Sequence, residues 1–355
     1  MSSDLKSLKC TLLLPIRRVR VDDSEISSFA EYFEMLSNAG CEVLVVDGSP
    51  ANVFAEHENA WRDVCRHVAP DPSYRCLNGK VNGVYTGVDL AACEKIILAD
   101  DDIRYTAADV SRMCELLNDA EMVRPQNFLS PLPWWARLES ARILINRGIL
   151  RAGDYPGTCG FLRSTMKRVG PYDGDVLFDN EEIVRHFALN GATINYALDF
   201  FILKRPPTFR KWIEQRPRQA YEDFGMRLKT ALFLALLPTL LFLSVASGAR
   251  AAIWFAAVVS LVSMSITARG LLRNRAYNYF PISTVVCAPL WIFERSLSTY
   301  WAIYWKLRYG GYPFGARLLS KGTGDAWVRG GRIQSRMLAR EQRGRTLNQR
   351  QRQNV

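Results

Sequence analysis

Short apolar runs alternate with amphipathic segments along the first part of this 355-residue chain. Runs such as Lys9–Ile16, Cys41–Val46 and Lys95–Ala99 are mostly apolar and rich in branched side chains, which is typical of strands buried on both faces. Segments such as Ser24–Asn38 and Val53–Cys65 have the spacing of helices that cover a sheet. Because strands and helices alternate, the pattern predicts an α/β domain with a mostly parallel central sheet.

The same alternation predicts the remaining elements of this domain. Further strands are expected at His67–Ala69, Glu121–Pro125, Gly160–Arg163 and Thr193–Leu203. Further helices are expected at Asn78–Ala92, Ala107–Leu117, from Trp135 to about Asn146 and at Asp179–Gly191. Gln126–Pro133 is expected to be an irregular loop, and Trp212–Phe224 an amphipathic basic segment that leads to the membrane.

Two long apolar segments follow. Between Ala231 and Ala268 the only charged residue is Arg250, and a membrane span needs about 20 apolar residues. We therefore expect two spans, Leu232–Ser247 and Ala251–Ala268, joined by a tight turn.

A third apolar segment, Pro281–Tyr304, differs from the first two. It carries Glu294 and Arg295 near its middle, contains a second proline at Pro289, and is rich in Trp and Tyr. An arginine at the centre of a span costs roughly 2.5 to 3.5 kcal/mol. We therefore expect a re-entrant or in-plane helix here, with an ordinary third span as the alternative.

Charge is distributed unevenly along the chain. The formal net charge is +11, and from Arg329 to Val355 there are eight Arg and one Glu. A basic tail after apolar helices is typical of the cytoplasmic face and its anionic lipids, which argues against nucleic acid as the partner. The eight Cys have no C-x-x-C spacing and the N-terminus is polar, so a reduced, non-exported domain is expected.

These signals divide the chain into three parts. We expect an α/β domain over residues 1–225, a membrane region over residues 226–310 and a basic cytoplasmic tail over residues 311–355. Both termini are then cytoplasmic, and the α/β domain faces the cytoplasm from an inner or cytoplasmic-type membrane.

The apolar run at Lys95–Ala99 ends at three consecutive carboxylates, Asp100, Asp101 and Asp102. In open α/β sheets, ligands bind outside the carboxyl ends of the strands. Adjacent acids resist ionising together unless a cation offsets the repulsion, and alternate residues of an extended segment face the same way. Asp100 and Asp102 are therefore candidate ligands for Mg²⁺ or Mn²⁺. The alternative is an acidic, solvated helix cap.

Other polar and aromatic residues lie where a ligand could reach them. Asp47 also follows a strand, and Lys80 lies in the first turn of a helix, where free N–H groups and a cation suit a phosphate. Trp134 and Trp135 could stack on a sugar ring, lie at a membrane surface, or fasten a helix to the core. Small residues around Gly160 would let a ligand approach the backbone.

The order of these signals resembles the inverting glycosyltransferases of family 2, which have the GT-A fold. Within that family, the membrane-bound ceramide-glucosyltransferase-like and cellulose-synthase-like branch looks closest. Four landmarks between about Leu8 and Phe224 carry the resemblance: Val-Val-Asp-Gly-Ser-Pro around Asp47, Asn78-Gly79-Lys80 with Asn82 and Gly87, the D-x-D motif at Asp100 and Asp102, and Gln215-Arg216-Pro217-Arg218-Gln219, which is similar to Q-x-x-R-W.

The resemblance implies a role for each landmark. The first aspartate contacts the nucleobase, the lysine lies near the nucleotide, the D-x-D motif holds metal and diphosphate, and the last motif closes over donor and acceptor. The implied site residues are Asp179, Glu182 and Arg218 for catalysis; Pro15, Asp47, Lys80, Asp100, Asp101 and Gln215 for the donor; Asp100 and Asp102 for the metal; and Trp134, Gly160 and Trp212 for the acceptor.

Two residues depart from the family pattern. Asn180 stands where the family has its base, and an amide cannot accept the proton. Asp179, Glu181 and Glu182 flank it; we expect Asp179 to be the base, with Glu182 next because it lies one helical turn later. Gln219 replaces the tryptophan of the last motif, and Trp212 is a candidate substitute.

The resemblance implies a single displacement at the anomeric carbon, which inverts its configuration. A nucleotide sugar, expected to be a UDP-sugar, is the donor, and a lipid or lipid-linked hydroxyl is the acceptor. Three alternatives remain: a degenerate, non-catalytic nucleotide-binding membrane module, a synthase of a cell-surface polysaccharide, and a nucleotidyltransferase. The last would normally have a Gly-rich phosphate loop after the first strand, where this chain has Pro15-Ile16-Arg17-Arg18.

Overall fold

The computed structural model describes residues 8–225, 227–314 and 317–323. The strands within these residues are β1 Cys10–Ile16, β2 Glu42–Asp47, β3 Arg66–Val68, β4 Lys95–Ala99, β5 Ile103–Arg104, β6 Met122–Leu129, β7 Thr158–Leu162, β8 Ile194–Lys204, β9 Tyr312–Phe314 and β10 Arg317–Leu319. The α-helices are α1 Asp23–Asn38, α2 Ala51–Trp61, α3 Gly79–Leu90, α4 Ala107–Leu116, α5 Trp134–Ile149, α6 Arg163–Val169, α7 Asp179–Leu189, α8 Phe209–Glu222, α9 Arg227–Ala246, α10 Ala249–Leu272, α11 Ser283–Val286 and α12 Ala288–Tyr309. Short 3₁₀ helices lie at Asp223–Gly225 and Arg273–Asn278.

Eight strands form one sheet in the order β3-β2-β1-β4-β7-β6-β8-β5. Parallel pairs join β1 to β2 and β4, β2 to β3, and β6 to β8. Strand β7 runs antiparallel to β4 and β6, and β5 runs antiparallel to β8. Most strands therefore point the same way, and the predicted α/β class with a mostly parallel central sheet is confirmed.

The central strands are buried because helices cover both faces of the sheet. Successive residues of a strand face opposite sides. Leu12 and Leu14 of β1 belong to the core on the side of α1, α2 and α4, whereas Leu13 belongs to the core on the side of α3, α6 and α7. This arrangement places the carboxyl ends of β1, β2 and β4 along one edge of the sheet, where a ligand can reach them.

The prediction of an irregular loop at Gln126–Pro133 is wrong in its first part. Residues 126–129 continue β6 and pair with residues 201–204 of β8, after a shift of register between Arg124 and Gln126. Pro125 lies at that shift, and a proline is tolerated there because a bulge does not require its missing N–H. The other predicted elements of the α/β domain are present, with ends that differ by a few residues, and the pattern does not predict α6 or the two-residue β5.

Helix α9, over Leu228–Ala246, and α10 with the 3₁₀ helix that follows it, over Ala249–Asn278, are long and apolar enough to cross a membrane, and 11% of each apolar window is buried. Their exposed side chains include Val245 and Ile253, which are 81% and 67% exposed. The turn between the helices contains Gly248, whose φ of 83° suits a glycine. The two apolar helices thus begin a few residues earlier than the spans that the sequence predicts, and α10 extends further.

Helix α10 crosses α5 of the α/β domain at close range. A Cβ atom at Gly270 would lie 1.9 Å from the carbonyl oxygen of Leu144, and one at Gly148 would lie 2.3 Å from the carbonyl oxygen of Ile266. Only glycine fits at either position, because the atoms that a side chain would meet belong to the backbone. The apolar helices are therefore packed directly on a helix that contributes to the cavity described below.

The third apolar segment forms two helices, α11 and α12. Helix α12 packs on α8 and α5 of the α/β domain as well as on α9 and α10. Glu294 Oε2 lies 3.7 Å from Arg216 Nη1, and Arg295 Nε lies 3.6 Å from Asp223 Oδ2. The two charges in the middle of this segment therefore face oppositely charged residues of α8 and of the turn that follows it.

The chain after α12 returns to the α/β domain. Strands β9 and β10 form a hairpin, and Leu319 packs with Leu177 and Tyr221 in one buried cluster. The first residues of the predicted tail are thus packed on the α/β domain. The rest of that tail, from residue 324 onward, lies outside the described residues.

Candidate active site

A cavity of about 760 Å³ lies at the carboxyl ends of the central strands. Residues that follow β1, β2 and β4 form one side, and residues of α3 and the start of α7 form its floor. The opposite side is built by α5, α8 and Arg295 of α12. The acidic run and the segment that resembles Q-x-x-R-W, which are far apart in the sequence, therefore face one space.

The three carboxylates after β4 all line this cavity, but each has a different partner. Asp100 Oδ1 lies 2.5 Å from Lys80 Nζ, Asp101 Oδ2 lies 2.6 Å from Arg18 Nη1, and Asp102 Oδ2 lies 3.3 Å from Lys204 Nζ. Burial alone would raise the pKa of Asp101, but Arg18, together with the charges of Lys211 and Lys204, outweighs it and holds that pKa below its ordinary value. Burial raises the pKa of Asp102, and the charge of Asp100 adds to this effect against the opposing charge of Lys204.

The oxygens of Asp100 and Asp102 fit a hard divalent cation. Asp102 Oδ1 is buried and accepts no hydrogen bond from any residue that the structure describes. A buried carboxylate oxygen without a donor is costly, and a cation would satisfy it. Gly157 allows Asp100 to lie against the backbone, because a Cβ there would be 2.6 Å from Asp100 Oδ2. Asp100 and Asp102 are thus the residues that could hold Mg²⁺ or Mn²⁺.

Lys80 joins the acidic run to the start of α7. Its Nζ lies 2.7 Å from Asp179 Oδ2 and donates to Asn180 Oδ1 at 2.9 Å, in addition to its contact with Asp100. Burial alone would lower the pKa of Lys80, but Asp100 and Asp179 raise it above the ordinary value, so the side chain stays charged. The Asn78 side chain accepts from the Lys80 backbone N–H and begins α3, which fixes the lysine at the cavity floor.

The acidic residues at the start of α7 point in different directions. Asp179, Asn180 and Glu181 line the cavity, whereas Glu182 is fully buried and is absent from the cavity wall that the described residues form. The structure therefore does not bring Glu182 to the reacting groups, because one helical turn from Asp179 leads into the core. Glu181 Oε2 lies 3.0 Å from Arg124 Nη2, and burial raises the pKa of Glu181.

Asn180 has a definite place in this arrangement. Its Nδ2 donates to Asp100 Oδ2 at 2.9 Å, while its Oδ1 accepts from Lys80. The amide thus bridges Asp100 and Lys80 at the cavity. A carboxylate at this position could not donate to Asp100 and would repel it. The preceding residue, Asp179, supplies a carboxylate to the same cavity.

Asp47 is not placed as the resemblance implies. Its side chain is buried, and it is missing from the cavity lining formed by the described residues, which includes its neighbours Val46 and Gly48. Its Oδ2 accepts from His57 Nδ1 at 2.6 Å and from His67 Nε2 at 3.2 Å. Burial alone would raise the pKa of Asp47, but these hydrogen bonds lower it far below the ordinary value.

The group formed by Asp47, His57 and His67 has the donor types of a metal site. Its internal hydrogen bonds nevertheless account for it. His67 Nδ1 also contacts Glu58 Oε2 at 2.6 Å, and Asp47 Oδ1 accepts from the Ser49 backbone N–H at 2.8 Å. These contacts already satisfy the carboxylate of Asp47, so the group fixes the end of β2 beside the cavity.

Helix α8 brings Gln215, Arg218 and Gln219 to the cavity, opposite Pro15 at the end of β1. Arg218 Nη2 donates to the Leu177 carbonyl at 3.4 Å, just before the start of α7. Gln219, which stands where the family motif has tryptophan, donates from Nε2 to Glu139 Oε1 at 3.4 Å. The segment that resembles Q-x-x-R-W is thus at the cavity, with polar contacts in place of a ring.

The expected acceptor residues are only partly brought together. Trp212 lines the cavity, but Trp134 is 55% exposed and contacts Trp212 and Phe209 from outside it. Gly160 lies in β7, where a Cβ would be 2.6 Å from the sulfur of Met113. Gly160 is therefore small to fit the core, and among the described residues Tyr155 to Gly157 form that part of the wall in its place.

Sequence reasoning missed several residues of the cavity. Lys204 ends β8 and faces Asp102, and its position at a strand end is a signal that could have found it. Glu139 and Arg142 of α5 line the cavity and form an ion pair at 2.6 Å, and Arg142 also pairs with Asp154 at 2.8 Å. Arg295 reaches the cavity from α12, and no local sequence signal indicates this.

Comparison with known proteins gives only structural likenesses. No family model matches the chain, and no curated protein matches it. The mannosyltransferase PcManGT from Pyrobaculum calidifontis, solved with GDP-Man and Mn²⁺, is 16% identical, with 82% of this chain and 87% of that chain covered and a TM-score of 0.46. Glucosyl-3-phosphoglycerate synthase from Mycobacterium tuberculosis, solved with Mn²⁺, UDP and phosphoglyceric acid, is 14% identical, with 59% and 76% covered and a TM-score of 0.38. Because both TM-scores are below 0.5, no functional argument rests on these likenesses.

Proposed function

We propose that this protein is an inverting glycosyltransferase that moves a sugar from a nucleotide sugar to the hydroxyl of a lipid or lipid-linked acceptor. The observation that carries the proposal is the position of Lys80, which contacts Asp100 at 2.5 Å and Asp179 at 2.7 Å. One lysine thus joins the carboxylate run that suits a metal-bound diphosphate to the carboxylate that suits an acceptor hydroxyl. The expected donor is a UDP-sugar.

The donor end of the cavity is suited to a diphosphate leaving group. Asp100 and Asp102 would hold Mg²⁺ or Mn²⁺, and a divalent cation at this position supplies positive charge to the leaving diphosphate. Lys80 and Arg218 add donors from α3 and α8, and Lys204 lies beside Asp102. Charge stabilisation of this kind is usually the largest contribution to catalysis, which fits the number of cations that converge here.

Asp179 is the proposed general base. Its carboxylate lines the cavity, and Lys80 and Asn78 orient it by contacts of 2.7 and 3.5 Å. It would take the proton from the acceptor hydroxyl as the oxygen attacks the anomeric carbon, and the diphosphate would leave from the opposite face. General-base help of this kind contributes about 10²- to 10⁴-fold to the rate.

We further propose that α9 and α10 anchor the enzyme in a membrane. Large exposed apolar side chains along both helices support this, since soluble proteins rarely expose such a surface. Two spans return the chain to the side it left, and Arg269, Arg273 and Arg275 at the end of the second span favour the cytoplasmic side. Helix α12 is proposed to lie in or near the membrane plane, against the α/β domain. The proposed division remains residues 1–225, 226–310 and 311–355, with residues 311–314 and 317–323 attached to the first part.

The test is release of free nucleoside diphosphate from a panel of nucleotide sugars, with and without a lipid extract. Release that needs both the extract and a divalent cation is expected. Nucleotide binding without release would favour a non-catalytic membrane module. A product that lengthens with time would favour a polysaccharide synthase. Release of inorganic pyrophosphate from a nucleoside triphosphate would indicate a nucleotidyltransferase.

A further inference from the structure

The loop before α7, residues 173–178, determines where Asp179 stands. One side of this loop is held by the start of α3. The Asn78 backbone N–H donates to the Gly174 carbonyl, and Asn78 Nδ2 donates to the Val176 carbonyl, both at 3.0 Å. The Leu77 N–H donates to Asp175 Oδ1 at 2.9 Å. The start of α3, the helix that carries Lys80, therefore fixes residues 174–176 of the loop.

The other side of the loop is held by the chain that follows α12. The Leu177 N–H donates to the Lys321 carbonyl at 3.0 Å, and the Phe178 N–H donates to the Gly322 carbonyl at 3.1 Å. These are the two residues immediately before Asp179. The backbone that leads into α7 is thus hydrogen-bonded to a segment more than 140 residues later in the sequence.

Side chains fasten the same segment at three further points. Lys321 Nζ lies 3.4 Å from Asp173 Oδ2, and Arg185 Nη1 donates to Thr323 Oγ1 at 3.1 Å. Tyr221 Oη donates to the Ser320 carbonyl at 3.1 Å. These contacts join Ser320–Thr323 to the beginning of the loop, to α7 itself and to α8.

Removing this segment would leave donors without acceptors. With the segment in place, Leu177 is fully buried and Phe178 is half-buried, so removal of the segment would expose their N–H groups to exchange with water. A donor that loses its acceptor is unfavourable, so the loop would relax to find new acceptors. A displacement of about 1 Å at a reacting group can cost about 10²-fold in rate.

We propose that Ser320–Thr323 is a positioning segment for Asp179, so that the chain beyond the apolar helices completes the acceptor side of the active site. Its effect on turnover rests on the proposed function, whereas its effect on the loop does not. The hairpin of β9 and β10 connects α12 to this segment, and Glu294 and Arg295 hold α12 beside α8 and the turn that follows it. The apolar region thus contributes to the geometry of the site as well as to attachment.

The test compares two truncations of the chain, purified in the same detergent. A chain ending at Thr323 keeps every contact described above, and a chain ending at Leu319 loses both carbonyl acceptors. Hydrogen exchange of the peptide over residues 173–182 is expected to quicken only in the shorter chain, while peptides from β1 and β4 stay protected. Turnover is expected to fall about 10- to 100-fold in the shorter chain, with the KM for the donor within about twofold, because Lys80 and Asp100 are untouched.

A full-length pair covers the case in which the shorter chain does not fold. Lys321→Ala with Thr323→Val removes the contacts to Asp173 and Arg185, and Lys321→Arg with Thr323→Ser keeps them. Faster exchange over residues 173–182 is expected in the first variant only.

Unchanged exchange in the shorter chain would overturn the proposal, and where that chain does not fold, unchanged exchange in the first full-length variant would overturn it. A loss of turnover that appears only as a higher donor KM would also overturn it. If the unaltered chain releases no nucleotide, the proposed function fails, and the exchange data still decide whether the segment holds the loop.

Discussion

Replacing Asp179 with asparagine is the most informative change at this site, because it removes a proton acceptor and little else. Asparagine has nearly the same shape, and its amide oxygen can accept a hydrogen bond from Lys80 as the carboxylate does. Lys80 keeps Asp100 at 2.5 Å and Asn180 at 2.9 Å, so its buried charge is not left without a partner. We therefore expect Asp179→Asn to fold and to bind the donor.

The expected loss is set by what a general base contributes. About 10²- to 10⁴-fold in kcat corresponds to roughly 2.7 to 5.4 kcal/mol, at about 1.36 kcal/mol for each factor of ten. The KM for the donor should change by no more than about threefold, since the lost interaction forms only as the acceptor proton is transferred. A structural defect would instead change donor binding and turnover together.

The assay is steady-state release of nucleoside diphosphate at saturating donor and varied acceptor, with donor binding measured separately by calorimetry. Glu182→Gln is the matched control from the same helical turn. Because Glu182 lies in the core, the kcat of this variant should stay close to that of the unaltered chain. Glu181→Gln tests the remaining carboxylate at the cavity. The reasoning fails if Asp179→Asn keeps its turnover, or if the loss appears at Glu181 in its place.

Three further results are expected. Alanine at both Asp100 and Asp102 should abolish transfer in a folded protein, as EDTA should in the unaltered chain, while Asp101→Asn should be better tolerated; transfer that survives both treatments would contradict the metal assignment. Gly270→Ala should lower the free energy of unfolding by about 1 to 3 kcal/mol, because its Cβ would meet a carbonyl oxygen at 1.9 Å. Gly79→Ala should not lower it, because the space around its Cβ is open. Equal thermal midpoints of the two variants in detergent would refute this. A reporter fused after the last residue should be found on the same side of the membrane as the α/β domain, and a reporter on the opposite side would make the third apolar segment a true span.

The part of the site that the sequence predicts is the part that depends on strand ends. Asp100 and Asp102 follow a continuous apolar run, and the end of a buried strand is a fixed position in an α/β sheet. The position of Lys80 is predictable for the same reason, since Asn78 caps its helix beside the sheet edge. Local pattern is enough for these residues because the sheet itself determines where they lie.

The direction in which a side chain points is harder to predict than the helix or strand that carries it. Asp47 ends β2 as expected, yet His57 and His67 bind its carboxylate, and its side chain is not part of the cavity lining that the described residues form. Glu182 is one turn from Asp179, but α7 runs from the cavity into the core within that turn, so Asp179 lines the cavity and Glu182 is buried. Gly160 is small to fit Met113. In each case, a tertiary neighbour that is distant in sequence determines the side-chain direction.

The charges of α12 show why the apolar region could not be understood from its own sequence. From the sequence alone, the free-energy cost of burying Glu294 and Arg295 depends on their depth in a bilayer, and this cost is the argument against a third span. In the structure, Arg216 and Asp223 face them at 3.7 and 3.6 Å, so the cost also depends on partners from the α/β domain. The contact of Lys321 and Gly322 with the loop before α7 is independent of those charges. Since that loop belongs to the α/β domain, this contact supports the proposal that residues 320–323 lie on the same side of the membrane as that domain, and it rests on hydrogen bonds that hydropathy does not record.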